Sequence, residues 1–450
     1  MSSHSLRPPA WVSGVAVLAS VGTFVWTIVT TAPMVPESND FARDIRNLFA
    51  RQEWSSTVDL SRQRLEENES SLPARFFLAM SLERRGFEDD SIEARRVWSR
   101  LRERAAARLN ENPLEDVQPG EFTDWVVTAY FGGWAYRKLG NEAKAQELWG
   151  NAAKLYGPDG SGASITPQRW YVYSNLLALI GEHERALDAW MAAVVEGYSE
   201  LWYRADPDLV ELRQDPRFET IRNVRDGVQS WVRDLYVDGI ETGSMDLMID
   251  CVDRYLRVGN SRDREALLFR AFALVQQESS ESEVIDAWSD LRDAANLWAE
   301  MEVRSALIRA AQARDEEWDA EMVPEIPTDP TEAIAAGVNP ATLYYLGWAA
   351  RGLNKSDLSE AMFGLLADNQ GRGRPNEYDR ACYLSLAARH DEAIETLRKL
   401  QAGRGPASPW MRVDPDFGPI QGDDRFKAIL EGVPREFNSF GAQRTRVLDG

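Results

Sequence analysis

One unusual stretch occurs twice in the chain, and this repetition constrains the fold more than any other feature. Residues 204–221 read RADPDLVELRQDPRFETI, and residues 412–429 read RVDPDFGPIQGDDRFKAI. At the constant offset of 208 residues, the matches include Trp202 with Trp410, Asp206 with Asp414, Asp208 with Asp416, and Phe218 with Phe426. So many matches at one offset are not chance. They predict a tandem duplication, with one group of elements in residues 40–225 and a second in 226–436.

The rest of the chain predicts helices in pairs. A chain of 450 residues is too long for one compact core, so it folds as several domains or as an elongated array. From residue 40 onward apolar residues recur at spacings of three and four, which is typical of α-helices. Short breakers such as RKLGNE, LIGEHE and AARHDE separate helices of about 12–18 residues. The sequence therefore predicts an all-α fold of helix hairpins.

A recurring set of small and aromatic residues marks these hairpins. In the best example small residues allow two helices to approach, a glycine closes the turn and a tryptophan fills the wedge; its members are Gly133, Tyr136, Gly140, Ala145, Trp149 and Ala152. This spacing resembles the tetratricopeptide repeat (TPR) family. The resemblance implies a right-handed α-solenoid of TPR-like hairpins. It is good for residues 122–158 and 167–197 and looser elsewhere, so the number of repeats in the second half stays open.

We interpret the repeated stretch as the element that ends each group of helix hairpins. Asp206 and Asp215 stand where helix N-caps are useful, and Leu209, Leu212 and Phe218 supply an apolar face. We expect two short helices that fold over the last hairpin. The stretch resembles the terminal element that follows TPR groups in bacterial proteins, and its physical task would be to cover the last apolar face of a solenoid.

The amino terminus predicts a membrane anchor. Residues 10–32 carry no charge, and as a helix they would span roughly 34 Å, enough to cross a bilayer. This run follows a short tail, residues 1–9, which the charge bias places in the cytoplasm, with the bulk of the chain in a bacterial periplasm or outside the cell. The alternative is a cleaved signal peptide. Residues 437–450 are expected to form a mobile tail.

Charge and motifs exclude several function classes. The net charge of −21 opposes binding to nucleic acid. No phosphate loop, GxSxG elbow or HExxH motif is present, so we predict no catalytic residue, no cofactor, no metal and no small-molecule substrate. Cys251 and Cys382 lie in apolar helical contexts and are predicted to be buried free thiols.

A shared aromatic stripe is the sharpest candidate for a binding site. Tyr130, Trp134 and Arg137 have helical i, i+4, i+7 spacing, and the same residue types recur at Tyr344, Trp348 and Arg351. On the TPR pattern they lie on the first helix of a hairpin and face the concave side. Such a stripe suits a peptide, while Tyr171 and Asn175 would line the next repeat. The alternative is that these residues only pack the hairpins together.

These features together predict a scaffold or adaptor. It would be anchored to the membrane by one helix and would bind other proteins or peptides in a bacterial envelope complex. A second hypothesis is an envelope enzyme, a hydrolase or lyase acting on cell-wall or glycan material, in which carboxylates with raised pKa would converge in one pocket. A third is the sensor domain of a signalling system.

Overall fold

The computed structural model describes residues 39–117, 122–158, 165–314, 326–369, 374–404 and 408–433. These residues form α-helices and short 3-10 helices, and none of them lies in a β-strand. The predicted all-α class is therefore confirmed for this part of the chain. The chain divides between Arg225 and Asp226 into two compact units, unit 1 and unit 2.

Unit 1 is a series of helix hairpins. Its helices are α1 (Asn39–Ala50), α2 (Trp54–Glu67), α3 (Leu72–Arg85), α4 (Asp90–Glu111), α5 (Phe122–Lys138), α6 (Glu142–Tyr156), α7 (Pro167–Leu179), α8 (His183–Val195) and α9 (Pro216–Arg222). Each of the helices α1 to α8 packs on the next, and the closest pairs are α3 with α4, α5 with α6, and α7 with α8. Such contacts between sequence neighbours are typical of a repeat array.

Unit 2 is also a series of helix hairpins, but one of its helices is much longer than the others. Its helices are α10 (Val228–Thr242), α11 (Asp246–Val258), α12 (Arg264–Gln276), α13 (Glu281–Ala313), α14 (Pro330–Ala336), α15 (Pro340–Gly352), α16 (Ser356–Asp368), α17 (Glu377–Leu386), α18 (His390–Arg404) and α19 (Asp424–Glu431). Helix α13 has 33 residues, well beyond the expected length. It begins with a capping box at Ser280 and Glu283, and no glycine or proline interrupts it. The handedness of the hairpins stays a prediction.

Local sequence signals explain the hairpin geometry. The Ser71 side chain accepts a hydrogen bond from the backbone N–H of Ala74 and begins α3, and Gly86 ends it in the left-handed region at φ 71°. Gly133 on α5 allows close contact with α6, because an added Cβ would lie 2.4 Å from Trp149 Nε1. Unit 2 repeats this fit, with Gly347 against the ring of Phe363.

The two copies of the repeated stretch have the predicted helix caps. Asp206 and Asp215 both accept hydrogen bonds from backbone N–H groups two residues ahead, so their N-cap assignment is confirmed. Phe218 is buried and stacks on Trp190 of α8, with ring centroids 4.9 Å apart. This part of the stretch covers the last hairpin of unit 1, as expected.

The repetition begins two residues before each stretch as quoted, at Trp202 and Trp410, and this first part runs elsewhere, which the sequence did not indicate. In unit 1 Trp202 lies against Phe49 of α1 and Phe77 of α3, with ring centroids 5.8 and 6.0 Å away. In unit 2 Trp410 lies 6.2 Å from Phe269 of α12. The stretch therefore contacts the first helices of several hairpins and is more than an end cap.

The predicted membrane anchor, residues 10–32, lies outside the described residues, as do the tails 1–9 and 437–450. Among the helices that are described, none combines the length and the apolar character needed to cross a bilayer.

Candidate functional site

In unit 1 the aromatic stripe contacts the chain's own repeated stretch. The hydroxyl of Tyr130 donates to Asp208 Oδ2 at 2.6 Å, and Trp134 Nε1 donates to Asp208 Oδ1 at 2.9 Å. Both aromatic side chains are buried. They lie one turn apart on α5, so a single carboxyl group receives both donors.

The second carboxyl of the stretch is held by the next hairpin. Tyr171 and Asn175 of α7 donate to Asp206 Oδ2 at 2.5 and 2.9 Å. The other oxygen, Oδ1, accepts from the backbone N–H of Asp208 at 3.0 Å. Two first helices, α5 and α7, therefore each bind one aspartate of the segment Asp206–Pro207–Asp208, which we call the first acidic segment.

Unit 2 builds the same site around the second acidic segment, Asp414–Pro415–Asp416. Tyr344 and Trp348 of α15 each donate to Asp416 Oδ1 at 3.0 Å. Tyr378 of α17 donates to Asp414 Oδ2 at 2.7 Å, and the thiol of Cys382 lies 4.0 Å from the same oxygen. Every acceptor and every tyrosine and tryptophan donor of unit 1 thus has its counterpart, while Cys382 stands where unit 1 has Asn175.

Burial dominates the electrostatics of both sites. It raises the pKa of Asp208 well above its ordinary value, and the neighbouring charge of Asp206 raises that pKa further. The pKa of Asp206 is raised by burial too, against hydrogen bonds from Tyr171 and Asn175 that lower it. Asp416 and Asp414 repeat this pattern. The hydrogen-bond donors are neutral side chains. Protonation of one carboxyl group is therefore the least costly way to avoid a second buried negative charge in each segment.

The predicted stripe residues are brought together only in part. Tyr130, Trp134, Tyr344 and Trp348 meet at carboxyl groups, and Tyr171 and Asn175 join them in unit 1. Arg137 instead forms an ion pair with Glu142 at 2.6 Å and lies over the ring of Trp149. Arg351 is half-buried and takes no part in the hydrogen bonds to Asp416. Arg137 thus contacts a carboxylate of its own unit, and binding of a partner peptide stays a prediction.

Sequence reasoning missed the acceptors. The repeated spacing indicates that Asp206 and Asp208 correspond to Asp414 and Asp416, and that Asp206 caps a helix. It does not indicate that these carboxyl groups accept hydrogen bonds from the aromatic side chains. A signal was present, because Tyr171 and Tyr378 match at an offset of 207 residues, and at the same offset Cys382 takes the position of Asn175. A donor that repeats together with a carboxyl group is a candidate partner for it.

The buried carboxyl pairs bear on the enzyme hypothesis. They have raised pKa values, as that hypothesis requires. However, Asp206 and Asp208 are only 2% and 6% exposed, and side chains of α5 and α7 enclose them. A substrate has no access to these groups in this arrangement, so they are better suited to holding the chain than to catalysis.

One cluster has the composition of a metal site. Ligand atoms of Cys382, Asp414 and Asp416 lie within 4.8 Å of one another, and all three residues are buried. Burial raises the pKa of the Cys382 thiol well above its ordinary value, and the charges of Asp414 and Asp416 raise it further. The carboxyl oxygens also accept hydrogen bonds from tyrosine and tryptophan. The cluster is part of the hydrogen-bonded network around the second acidic segment. Cys251 and Cys382 are buried free thiols, as predicted.

Comparisons with known proteins do not identify a family for this chain. No protein-family model matches the chain, and no curated protein does. One similar solved structure is that of Naa15/Naa10 bound to HypK-THB, at 13% identity and TM-score 0.20, covering 88% of this chain and 64% of that one. This chain therefore spans less than two thirds of that protein.

Another similar structure is the APC/C hetero-tetramer Cut9-Hcn1, at 12% identity and TM-score 0.19, covering 94% of this chain and 99% of that one. TM-scores this low carry no argument about the architecture or the partners of this chain.

Proposed function

We propose that this protein is a scaffold or adaptor that binds other proteins through its two helix-hairpin units. The observation that carries this proposal is the contact between each unit and its own acidic segment. The donors Tyr130 and Trp134, and their counterparts Tyr344 and Trp348, hold a short piece of chain, the start of a 3-10 helix, by its carboxyl groups. This is the chemistry by which a groove binds a peptide.

The mode of binding would be competition. A partner with a short acidic segment of similar conformation would take the place of the chain's own segment on the faces of α5 and α7, or of α15 and α17. The side chains of the predicted stripe would then bind the partner as they now bind Asp206 and Asp208. Because the chain's own segment already occupies the groove, a partner must bind more tightly than that segment in order to displace it. This requirement favours specific partners.

A peptide-binding experiment on the full-length protein tests this groove. The Asp208→Ala variant leaves Tyr130 and Trp134 without their acceptor and so weakens the hold on the first acidic segment. We expect a fluorescent peptide of residues 202–213 to bind this variant more tightly than the unaltered protein, as measured by anisotropy.

Two controls make the result specific. Asp59→Ala removes an exposed carboxylate of α2 in the same unit and should leave peptide binding unchanged. A peptide in which both aspartates are replaced by asparagine should bind the Asp208→Ala variant less well. Equal binding of the two peptides, or no binding to a variant that retains its helical circular dichroism, would contradict the groove.

The proposed setting is the bacterial envelope. The uncharged run 10–32 supports a single-pass anchor with the amino terminus in the cytoplasm and the two units outside it. The anchor would raise the local concentration of a partner at the membrane. After carbonate extraction of native membranes the protein should stay in the pellet; recovery in the soluble fraction would favour a cleaved signal peptide.

A further inference from the structure

Helix α4 carries a row of arginines at four-residue intervals: Arg96, Arg100, Arg104 and Arg108. Successive members lie about 6 Å apart along the helix axis and share one side of the helix. Like charges at this spacing destabilise a helix rather than support it. The row is also a local exception in a chain with a net charge of −21.

A fifth arginine joins the row from the neighbouring helix. Arg75 of α3 is only 5% exposed and donates from Nη1 to the carbonyl oxygen of Ser71 at 3.3 Å. Its pKa is lowered first by burial and then by repulsion from Arg104; Glu69 opposes this shift, and Arg100 and Arg108 lower the pKa further. Arg75 and Arg104 also lie 4.0 and 2.7 Å from the same oxygen, Glu69 Oε1, so a guanidinium group of α3 lies beside the row of α4.

The cluster is undercompensated. Glu69 is its one carboxylate contact in the described part of the chain, with Oε1 2.7 Å from Arg104 and 4.0 Å from Arg75. Arg108 donates to the backbone carbonyl of Ser70 at 3.0 Å, which adds no negative charge. Arg96 and Arg100 are exposed, and no ion pair among the described residues includes either. The row thus presents free positive charge to solvent.

We propose that the arginine row of α4 is a docking site for an acidic segment of a partner protein, one with carboxylates repeated at helical spacing. Charge complementarity supports this occupant, because guanidinium and carboxylate groups form paired hydrogen bonds of matching geometry. A long polyanion such as nucleic acid is repelled by the rest of the molecule. The proposal rests on the scaffold function but makes no use of the acidic-segment grooves.

Binding of a defined probe to the full-length protein tests the row. The probe is a fluorescein-labelled helical peptide with glutamate at every fourth position, measured by anisotropy at low salt. The Arg96→Gln, Arg100→Gln double variant should weaken binding by about tenfold, since two charge-assisted contacts are lost. The matched control is Arg95→Gln, Arg102→Gln on another side of the same helix, which should change the affinity by less than about twofold.

Several outcomes would overturn the proposal. Equal weakening by the two double variants would show attraction by net charge alone. Failure of the peptide to bind at low salt would show that the arginine row is not a binding site for acidic segments. If an oligothymidylate bound more tightly than the peptide, and only Arg96→Gln, Arg100→Gln abolished that binding, the row would be a nucleic-acid site. Asp208→Ala should leave peptide binding to the row unchanged, so a failure of the groove and a failure of the row are distinguishable.

Discussion

At the scale of single residues, the two buried carboxyl groups of each unit have the greatest need for compensating contacts. An ionised carboxylate out of water is costly unless it is well paired, and here its partners are neutral hydroxyl, indole and amide groups. Asp208 and Asp416 therefore have pKa values well above the ordinary range. Their protonation should couple the stability of each unit to pH.

We predict that replacing Asp208 with Asn reduces the pH dependence of folding. Because the folded-state pKa of Asp208 exceeds its unfolded value, its contribution to stability is complete below about pH 4. That contribution is lost as pH rises through the raised pKa. The unaltered protein should therefore lose stability relative to Asp208→Asn between acid and neutral pH. Urea unfolding of both proteins across this range is the measurement, and parallel curves would contradict the prediction.

Two glycines of one hairpin should respond in opposite ways to alanine. A Cβ at Gly133 would overlap the indole of Trp149, so Gly133→Ala should cost about 1–3 kcal/mol of unfolding free energy. A Cβ at Gly150 of α6 meets nothing within 4 Å, so Gly150→Ala should stabilise by ~0.5–1 kcal/mol. Denaturant unfolding measures both. Losses of equal size would mean that the close contact at Gly133 is unimportant.

At the scale of elements, the repeated stretch covers the end of the last hairpin and also connects neighbouring hairpins. Its second half seals the last hairpin, where Phe218 stacks on Trp190 and the indole donates to the Phe218 carbonyl oxygen at 2.9 Å. Its first half holds α5 and α7 together through Asp208 and Asp206. A helix array normally gains contacts only between neighbours, and this segment adds contacts between hairpins.

Phe218→Ala tests the sealing contact. Removal of a fully buried phenylalanine from this site should cost about 3–5 kcal/mol of unfolding free energy. Phe87→Ala is the comparison, because this ring is 62% exposed and should contribute far less. If denaturant unfolding gave similar losses of unfolding free energy for the two variants, the repeated stretch would not be needed for the stability of the helix array.

At the scale of the whole molecule, the structure falls into two units that each contain their own hairpins and their own acidic segment. The limits 40–225 and 226–436 were predicted from the duplicated stretch, and their origin by duplication stays a prediction. The contacts that seal unit 1, from Trp202 with Phe49 to Phe218 with Trp190, all lie within it.

We therefore expect residues 40–225, expressed alone, to fold. Their circular dichroism should show a helical spectrum and a cooperative thermal transition, because no sealing contact of this unit is lost. A disordered spectrum would show that unit 1 depends on the rest of the chain.

Most of the hairpin helices, several of their caps and the repetition of the acidic stretch were determined by the sequence alone. These features are local or repeated: apolar spacing defines a helix face, Asp215 and Gly86 define helix ends, and a constant offset reveals a second copy. The buried thiols and the all-α class follow from the same kind of evidence.

Only the tertiary structure decided what covers the aromatic faces. Helical spacing showed that Tyr130 and Trp134 share a face, but their acceptor Asp208 lies more than 70 residues further along the chain. Spacing also could not show that Arg137 turns to Glu142. A side chain's register is set by its own helix, whereas its partner depends on where a distant segment packs, and that is a property of the folded chain as a whole.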